Sequence, residues 1–260
     1  MRATIMLDRR NFSGHKSGGG RRLRNGVERK IGLQQERPSI SKLLATAFAV
    51  AAALNPGLHE TWVRISFRLG GMLPASQLSA TIQQDGQLDL LLRAIEDERA
   101  TAMAAAQQQD HLFEAHYQDQ AMFSDFWIGR VYETLRLLIA RGLLPKDGDV
   151  GALKQDFNLL RIPIDKHEIA GDGSLTEPLH MQRQPPSGNA TDFYEYNKAD
   201  PQRAHIMGRG VSQRGSMMWR TVDLKTRQDR WIERRALSDR IIALWGADDA
   251  AGKSAAVQPR

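Results

Sequence analysis

Cysteine is entirely missing from this chain of 260 residues. Its absence excludes disulfide bonds, zinc sites built from thiolates and a cysteine nucleophile. The absence fits either a reducing compartment or a protein that simply makes no use of cysteine chemistry, and a cytoplasmic location is the default prediction. With 41% hydrophobic residues, the chain can bury one good core, or a core and a smaller module.

Three motifs of nucleotide and hydrolase chemistry are missing as well. The chain has no GxxxxGK[ST] phosphate loop, no GxGxxG after a predicted strand and no GxSxG. Nucleotide hydrolysis, dinucleotide redox chemistry and serine-hydrolase chemistry therefore have no support in the sequence. We predict no cofactor.

Long hydrophobic runs are scarce, and the longest covers residues 43 to 54. This run is shorter than the roughly twenty residues that cross a bilayer, so no membrane span is predicted. The basic region before it is too long for a signal peptide. We expect an Ala-rich helix that begins after Ser39 or Ser41 and ends at Asn55-Pro56-Gly57, and it stays open whether this helix is exposed and binds a partner.

The net charge of +6 is unevenly distributed along the chain. Residues 1–37 hold ten Lys/Arg against three Asp/Glu (+7), residues 38–200 fourteen against twenty-one (−7), and residues 201–240 ten against four (+6). Basic flanks suit nucleic acid or an acidic protein, because each cation that neutralises a phosphate releases a counterion. The alternative is an ordinary solvated surface.

The spacing of apolar residues predicts a mainly α protein. An antiparallel helical bundle is followed by a small β-hairpin or meander and a short C-terminal helix. Residues 88–120 lack Gly and Pro and predict one long helix. The predicted divisions are a disordered basic arm (1–39), the helical bundle (40–172), a linker or long loop (173–200), a small α+β module (201–247) and a disordered tail (248–260).

The stretch LLRIPIDKHEIAG, residues 159 to 171, combines an arginine, a proline and a histidine. A residue before proline is pushed out of the α region, so the helix should end at about Arg161. Arg161 and His167 would then project from adjacent helix ends, one supplying fixed positive charge and the other moving a proton. Alternatively, Arg161 caps helix carbonyls and His167 pairs with Asp165 or Glu168.

The pair RIPIDKH resembles the motif of the HEPN superfamily, small helical bundles in which an arginine precedes a histidine by a few residues. Many members of that family are metal-independent ribonucleases, often homodimers with the motif at the interface. The resemblance implies an RNA-associated protein in which Arg161 clamps phosphate and His167 is the general acid and base. The family usually has a polar residue after the arginine, whereas this chain has Ile162 and Pro163.

Arginines and tryptophans alternate near the C-terminal end. Arginine binds phosphate through a planar fork and tryptophan stacks on bases, which favours a nucleic-acid surface. If these residues lie on strands, the tryptophans could instead fill the core and the arginines could form the solvent-exposed face of the sheet. The candidate residues are Arg209, Arg214, Arg220, Arg227, Arg230, Arg234, Trp219 and Trp231.

A second polar cluster, DHLFEAH, lies on the predicted long helix. His111 and Glu114 share a helix face, but His116 lies away from them, so a metal would need two more ligands from another helix. We predict no metal site. Nearby, Glu133 is expected to form a structural ion pair with Arg161 or with Arg136.

Overall fold

Helices occupy the first part of the described chain, and short strands follow them. The computed structural model describes residues 39–74, 77–105, 111–183 and 192–246. The helices are α1 (Ile40–Leu54), α2 (Pro56–Gly71), α3 (Leu78–Ala105), α4 (His111–Ala140), α5 (Gly148–Lys166) and α6 (Arg234–Gly246). The strands are β1 (Leu179–Arg183), β2 (Asp192–Tyr196), β3 (Gly208–Val211), β4 (Met217–Asp223) and β5 (Gln228–Glu233). This order confirms the predicted fold class.

The predicted arm and tail fall almost wholly outside the described residues, which begin at Ser39. Ser39 is the N-cap of α1 and Asn55 its C-cap, as the sequence predicts. Pro56 starts α2 at once, because proline fits the first turn of a helix, where its missing N–H is not needed. The two helix axes are bent by 103° at this break. Among the described helices, no single one is long and apolar enough to cross a membrane.

Residues 88–120 are predicted as one long helix, but the described residues in this range belong to two helices, the end of α3 and the start of α4. Asp85 of α3 accepts a hydrogen bond from Arg130 of α4 at 2.7 Å, and the Arg99 guanidinium lies 5.7 Å from the centre of the Tyr117 ring. Partners further along α3 lie earlier on α4, so the two helices run antiparallel. The prediction was wrong because helix propensity carries no information about where two apolar faces fold onto each other.

Pro163 lies inside α5, which continues to Lys166 rather than ending near Arg161 as predicted. Proline has no N–H, so the carbonyl one turn earlier, on Leu159, loses its usual donor. The helix tolerates this loss because the proline is buried and the hydrogen bonds resume at once: the His167 N–H donates to the Pro163 carbonyl at 3.1 Å. Packing here overrides the local preference of the residue before proline.

Strands β1 and β2 form an antiparallel hairpin that pairs Leu179 with Tyr196. The hairpin corrects the prediction that residues 173–200 are a linker or long loop. The buried Tyr196 hydroxyl accepts from the Ile169 N–H at 3.1 Å and donates to Asp172 at 2.8 Å. These bonds attach the hairpin to the chain just after α5, a tertiary contact that the Gly and Pro content of the segment does not reveal.

The second sheet is an antiparallel meander with β4 between β3 and β5. One face of β4, including Met217 and Trp219, is buried in the same hydrophobic core as the helices. On α6, the Trp245 ring packs edge-on against Trp62 of α2, with 6.2 Å between ring centres. The predicted small α+β module therefore shares one core with the bundle.

Candidate functional site

Arg161 projects from α5 toward α4. Its Nε lies 3.0 Å from Asp165 Oδ2 and its Nη2 3.4 Å from Glu133 Oε1. Its guanidinium carbon is 5.1 Å from the centre of the Tyr132 ring. The predicted pairing of Glu133 is confirmed for both partners, because Glu133 also contacts Arg136 at 2.7 Å. Two carboxylates and an aromatic face thus engage the charge of Arg161.

His167 ends α5 with a left-handed φ of 57°. Its carbonyl accepts from the His205 N–H at 2.7 Å, which fastens the end of the helix to the segment before β3. Residues six apart on a helix project roughly 120° away from each other, since each residue turns the helix by about 100°. Among the contacts of the described side chains, none joins Arg161 to His167.

A cleft of about 520 Å³ opens between α3, α4 and α5. Arg161 and Arg130 line it, together with the carboxylates of Asp125 and Asp165. His167 is not among the described residues that line this cleft. The cleft therefore contains Arg161, the predicted phosphate-binding residue, but not His167, the predicted general acid and base.

The C-terminal arginines pair with carboxylates of the same chain. Arg209 contacts Asp125 of α4 at 2.7 Å, and Arg230 contacts Asp156 of α5 at 2.9 Å. Further pairs join Arg214 to Glu233 and Asp239, Arg220 to Asp229, Arg235 to Asp97 and Arg240 to Asp156. Much of the positive charge of residues 201–240 is thus directed at carboxylates, many of them in the acidic helical region.

Two of the predicted nucleic-acid residues, Arg234 and Trp219, are completely buried, and this corrects their predicted role. Neither side chain reaches solvent, so neither can contact a phosphate or a base. Trp219 fills the core, as the alternative interpretation expected. Arg227, in the turn between β4 and β5, and Trp231, 53% exposed, lie at the surface, and their part in nucleic-acid binding stays a prediction.

The side chains of His111, Glu114 and His116 lie outside the described residues, so the DHLFEAH segment is not tested. Among the side chains that are described, no group of three or more His, Asp or Glu residues is arranged to hold a metal ion.

A buried charge cluster, which the sequence analysis missed, joins α3 to α6. Asp89 accepts hydrogen bonds from Arg234 at 2.6 Å, Arg93 at 3.0 Å and the indole of Trp62 at 3.0 Å. Glu96 accepts two more from Arg234, at 2.6 and 2.7 Å. Burial by itself raises the pKa of Asp89, but the charges of Arg234 and Arg93 outweigh burial and lower it. These charges satisfy one another away from solvent, which indicates a structural role.

His205 is a second buried polar group that the sequence analysis missed. Its Nδ1 lies 2.7 Å from the Tyr194 hydroxyl, its ring packs edge-on against Tyr196, and its Nε2 is buried without a hydrogen-bond partner. Burial lowers the pKa of His205, and the nearby charge of Asp229 opposes that shift only in part. The folded protein therefore favours the neutral imidazole.

We expect the free energy of unfolding to fall as the pH is lowered below the ordinary histidine pKa of 6.5. In that range His205 binds a proton in the unfolded chain but stays neutral in the folded chain, so acid favours unfolding. Burial raises the pKa of Asp85 and Asp125, which acts in the opposite direction at lower pH. Urea denaturation of wild type and His205→Gln at several pH values isolates the histidine contribution.

The His205→Gln variant should show a flatter loss of stability below pH 6.5 than wild type. The matched control is His180→Gln, because His180 is exposed on β1. An unchanged slope in His205→Gln would contradict the assignment of this pH dependence to His205.

Among the side chains that the structure describes, helix α1 carries more exposed large apolar residues than any other helix. Few residues of α1 contact the core: Ala51 is buried there, and Ala47 and Phe48 are partly buried beside it. Large apolar side chains elsewhere on the helix are between 47% and 71% exposed: Ile40, Leu43, Leu44, Val50 and Leu54. This confirms the predicted Ala-rich helix and shows that most of its surface faces outward.

No family model, curated protein or solved structure matches this chain.

Proposed function

We propose that this protein is a non-enzymatic docking module that binds a partner through the apolar surface of α1. The observation that supports the proposal is the exposure of five large apolar side chains on one helix of 15 residues. Burying a side chain of this size is worth about 1.5 to 3 kcal/mol, so covering even part of the helix stabilises a complex. A contiguous apolar patch on a folded protein is typical of a binding surface.

The charge distribution supports a partner that is acidic as well as apolar. The arginines of residues 201–240 are largely engaged by carboxylates of the same chain. The sequence that directly precedes α1 carries the other basic block, +7 over residues 1–37. Positive charge and apolar surface are therefore neighbours in the sequence, and together they favour a negatively charged partner.

The alternative function, HEPN-like RNA cleavage, stays a prediction with weaker support. It requires Arg161 and His167 in one solvent-open cleft. Arg161 lines such a cleft, but Asp165 and Glu133 engage its guanidinium, and His167 is not among the described residues that line the cleft. The docking proposal needs none of these residues.

The missing cysteine allows a direct test of docking. In Leu44→Cys, the introduced thiol is the only one in the chain, and it replaces an exposed side chain. We expect a membrane-permeable maleimide to label purified Leu44→Cys readily but to label it slowly in intact cells, where a partner covers α1. The measurement is the labelled fraction against time, by mass spectrometry of the recovered protein.

The matched control is Ile206→Cys, since Ile206 is 71% exposed in the segment before β3. In each setting it gives the labelling rate of an uncovered thiol, which corrects for the other cellular thiols that consume maleimide. If the rate of Leu44→Cys relative to Ile206→Cys is the same in cells as in solution, the docking proposal is refuted, whatever the partner.

A further inference from the structure

We propose that the outer face of the β3–β4–β5 meander binds single-stranded nucleic acid by stacking a base on Trp231. This face is separate from α1, so the inference goes beyond the docking function and does not depend on it. Trp231 is 53% exposed on β5, whereas the next residue, Ile232, is buried in the core. Successive side chains of a strand point to opposite faces, so Trp231 lies on the face that is turned away from the bundle.

The indole of Trp231 lies flat on the sheet. A Cβ added at Gly210 of β3 would lie 3.5 Å from the six-membered ring of Trp231. Gly210 is two strands away, because β4 lies between β3 and β5 and neighbouring strands are about 4.8 Å apart. A side chain that reaches this far must cross β4 along its surface. One face of the ring therefore rests on the sheet, and the other is open to solvent.

Two glycines leave space beside this ring. Gly208 and Gly210 are alternate residues of the edge strand β3, and the register places them on the same face as Trp231. Glycine has no side chain, so nothing rises from β3 at these two positions. Arg220 of β4 lies between Gly208 and Trp231 in the register, and its guanidinium pairs with Asp229. The face is thus a flat aromatic surface with an arginine at its edge and uncovered backbone beside it.

An exposed indole next to cations suits unpaired bases. Every base has a flat π face, so stacking on tryptophan needs no particular sequence. Both side chains of the pair between Arg220 and Asp229 are exposed, and an ion pair of this kind contributes little to stability. The Arg220 guanidinium can therefore turn to a phosphate of a strand whose base is stacked on Trp231.

The charge of the meander favours nucleic acid over an apolar protein surface. Residues 208–233 hold six Lys/Arg against three Asp/Glu. Lys225 and Arg227, in the turn between β4 and β5, are exposed, and neither side chain joins an ion pair among the described residues. Gln228, directly after this turn, lies about 10 Å from Trp231 along β5. A short strand can therefore place a base on Trp231 and a phosphate near these cations.

Trp231 supplies an optical probe of its own contact. The chain has five tryptophans, and the other four, Trp62, Trp127, Trp219 and Trp245, are at most 1% exposed. A base that stacks on the open indole quenches its fluorescence, so the change in emission reports this one site. The test is titration of the full chain with oligothymidylate and with oligouridylate of about 12 nucleotides, long enough for one binding site. We expect saturable quenching that weakens as salt is added, and the oligonucleotide with the higher affinity identifies DNA or RNA.

The variants are compared by the fluorescence anisotropy of a dye-labelled oligonucleotide, which does not require Trp231. Trp231→Ala should bind about five- to hundredfold more weakly, because it loses the stacking contact. Trp231→Phe keeps a smaller aromatic face, so it should bind more tightly than Trp231→Ala but show no quenching. The matched control, Phe193→Ala, removes an exposed aromatic ring from β2 and should bind like wild type. Circular dichroism checks that each variant is folded.

The double variant Lys225→Gln/Arg227→Asn tests the phosphate contacts. Arg227 has a left-handed φ of 55°, which asparagine tolerates. For single strands, each lost phosphate contact reduces the slope of log affinity against log salt by about 0.7. We therefore expect this variant to bind more weakly at low salt and with a shallower slope than wild type, while quenching at saturation is unchanged.

Binding of Trp231→Ala as tight as that of wild type would overturn the inference, as would binding without quenching, because the nucleic acid would then lie elsewhere on the chain. Equal affinity for a duplex of the same sequence would exclude stacking, and no binding to either oligonucleotide would exclude the ligand. Trp231 emission that changes with protein concentration, but not with oligonucleotide, would assign the face to a second copy of the chain. None of these results bears on the labelling of Leu44→Cys, so this inference and the docking proposal fail separately.

Discussion

Gly215→Ala is expected to lower the free energy of unfolding by about 3 to 4 kcal/mol. Gly215 has a φ of 73°, and an added Cβ would lie 2.0 Å from the carbonyl oxygen of Glu96 on α3. The atoms that it would meet are helix backbone, which cannot move aside as a flexible side chain can. The Gly215 carbonyl also accepts from Gln120 of α4 at 2.8 Å, so a shift of the turn would break this buried bond. Urea denaturation measures the change.

Gly142→Ala separates the effect of the close contact from that of the backbone. Gly142 has nearly the same φ, 71°, but nothing lies within 4 Å of its added Cβ. It should therefore cost only the left-handed backbone penalty, about 1 to 2 kcal/mol. Equal losses in the two variants would show that the turn at Gly215 does not press against α3 as described.

The helical part of the fold was largely predictable from apolar spacing and stop signals. Trp62, Ile65 and Leu69 repeat at helical spacing and are buried on α2. The two corrected boundaries have a common cause. Helix propensity could not show that α3 and α4 pack antiparallel to each other. The proline rule could not predict the packing that keeps Pro163 inside α5. Both depend on contacts between segments far apart in the sequence.

The candidate sites were less predictable than the fold, because the residue types that indicate binding also form internal ion pairs. The arginines near the C-terminal end could equally contact phosphate or carboxylate, and only the structure shows Asp125 and Asp156 beside them. One signal was available: Asp85, Asp89 and Glu96 lie on the helix face that also carries buried Ile82. Acidic residues on a core face need buried cations as partners.

Arg234→Met is expected to cost about 3 to 5 kcal/mol of unfolding free energy, the range for removing one partner of a buried ion pair. The guanidinium is fully buried and supplies bonds to Asp89 and both oxygens of Glu96. Methionine fills similar space but leaves Glu96 with only the Ser216 hydroxyl, at 2.7 Å, among its described side-chain donors. Asp89 keeps Arg93, so the cost arises chiefly at Glu96. Urea denaturation provides the measurement.

Two further variants separate a buried unpaired charge from a general loss of packing. Arg220→Met removes a pair with Asp229 in which both side chains are exposed, and it should cost less than about 1 kcal/mol. In Arg234→Met/Glu96→Gln, the neutral amide no longer requires a cation and can still accept from Ser216, so part of the lost stability should return. If the double variant is no more stable than Arg234→Met, the loss in Arg234→Met does not arise from an unpaired charge on Glu96.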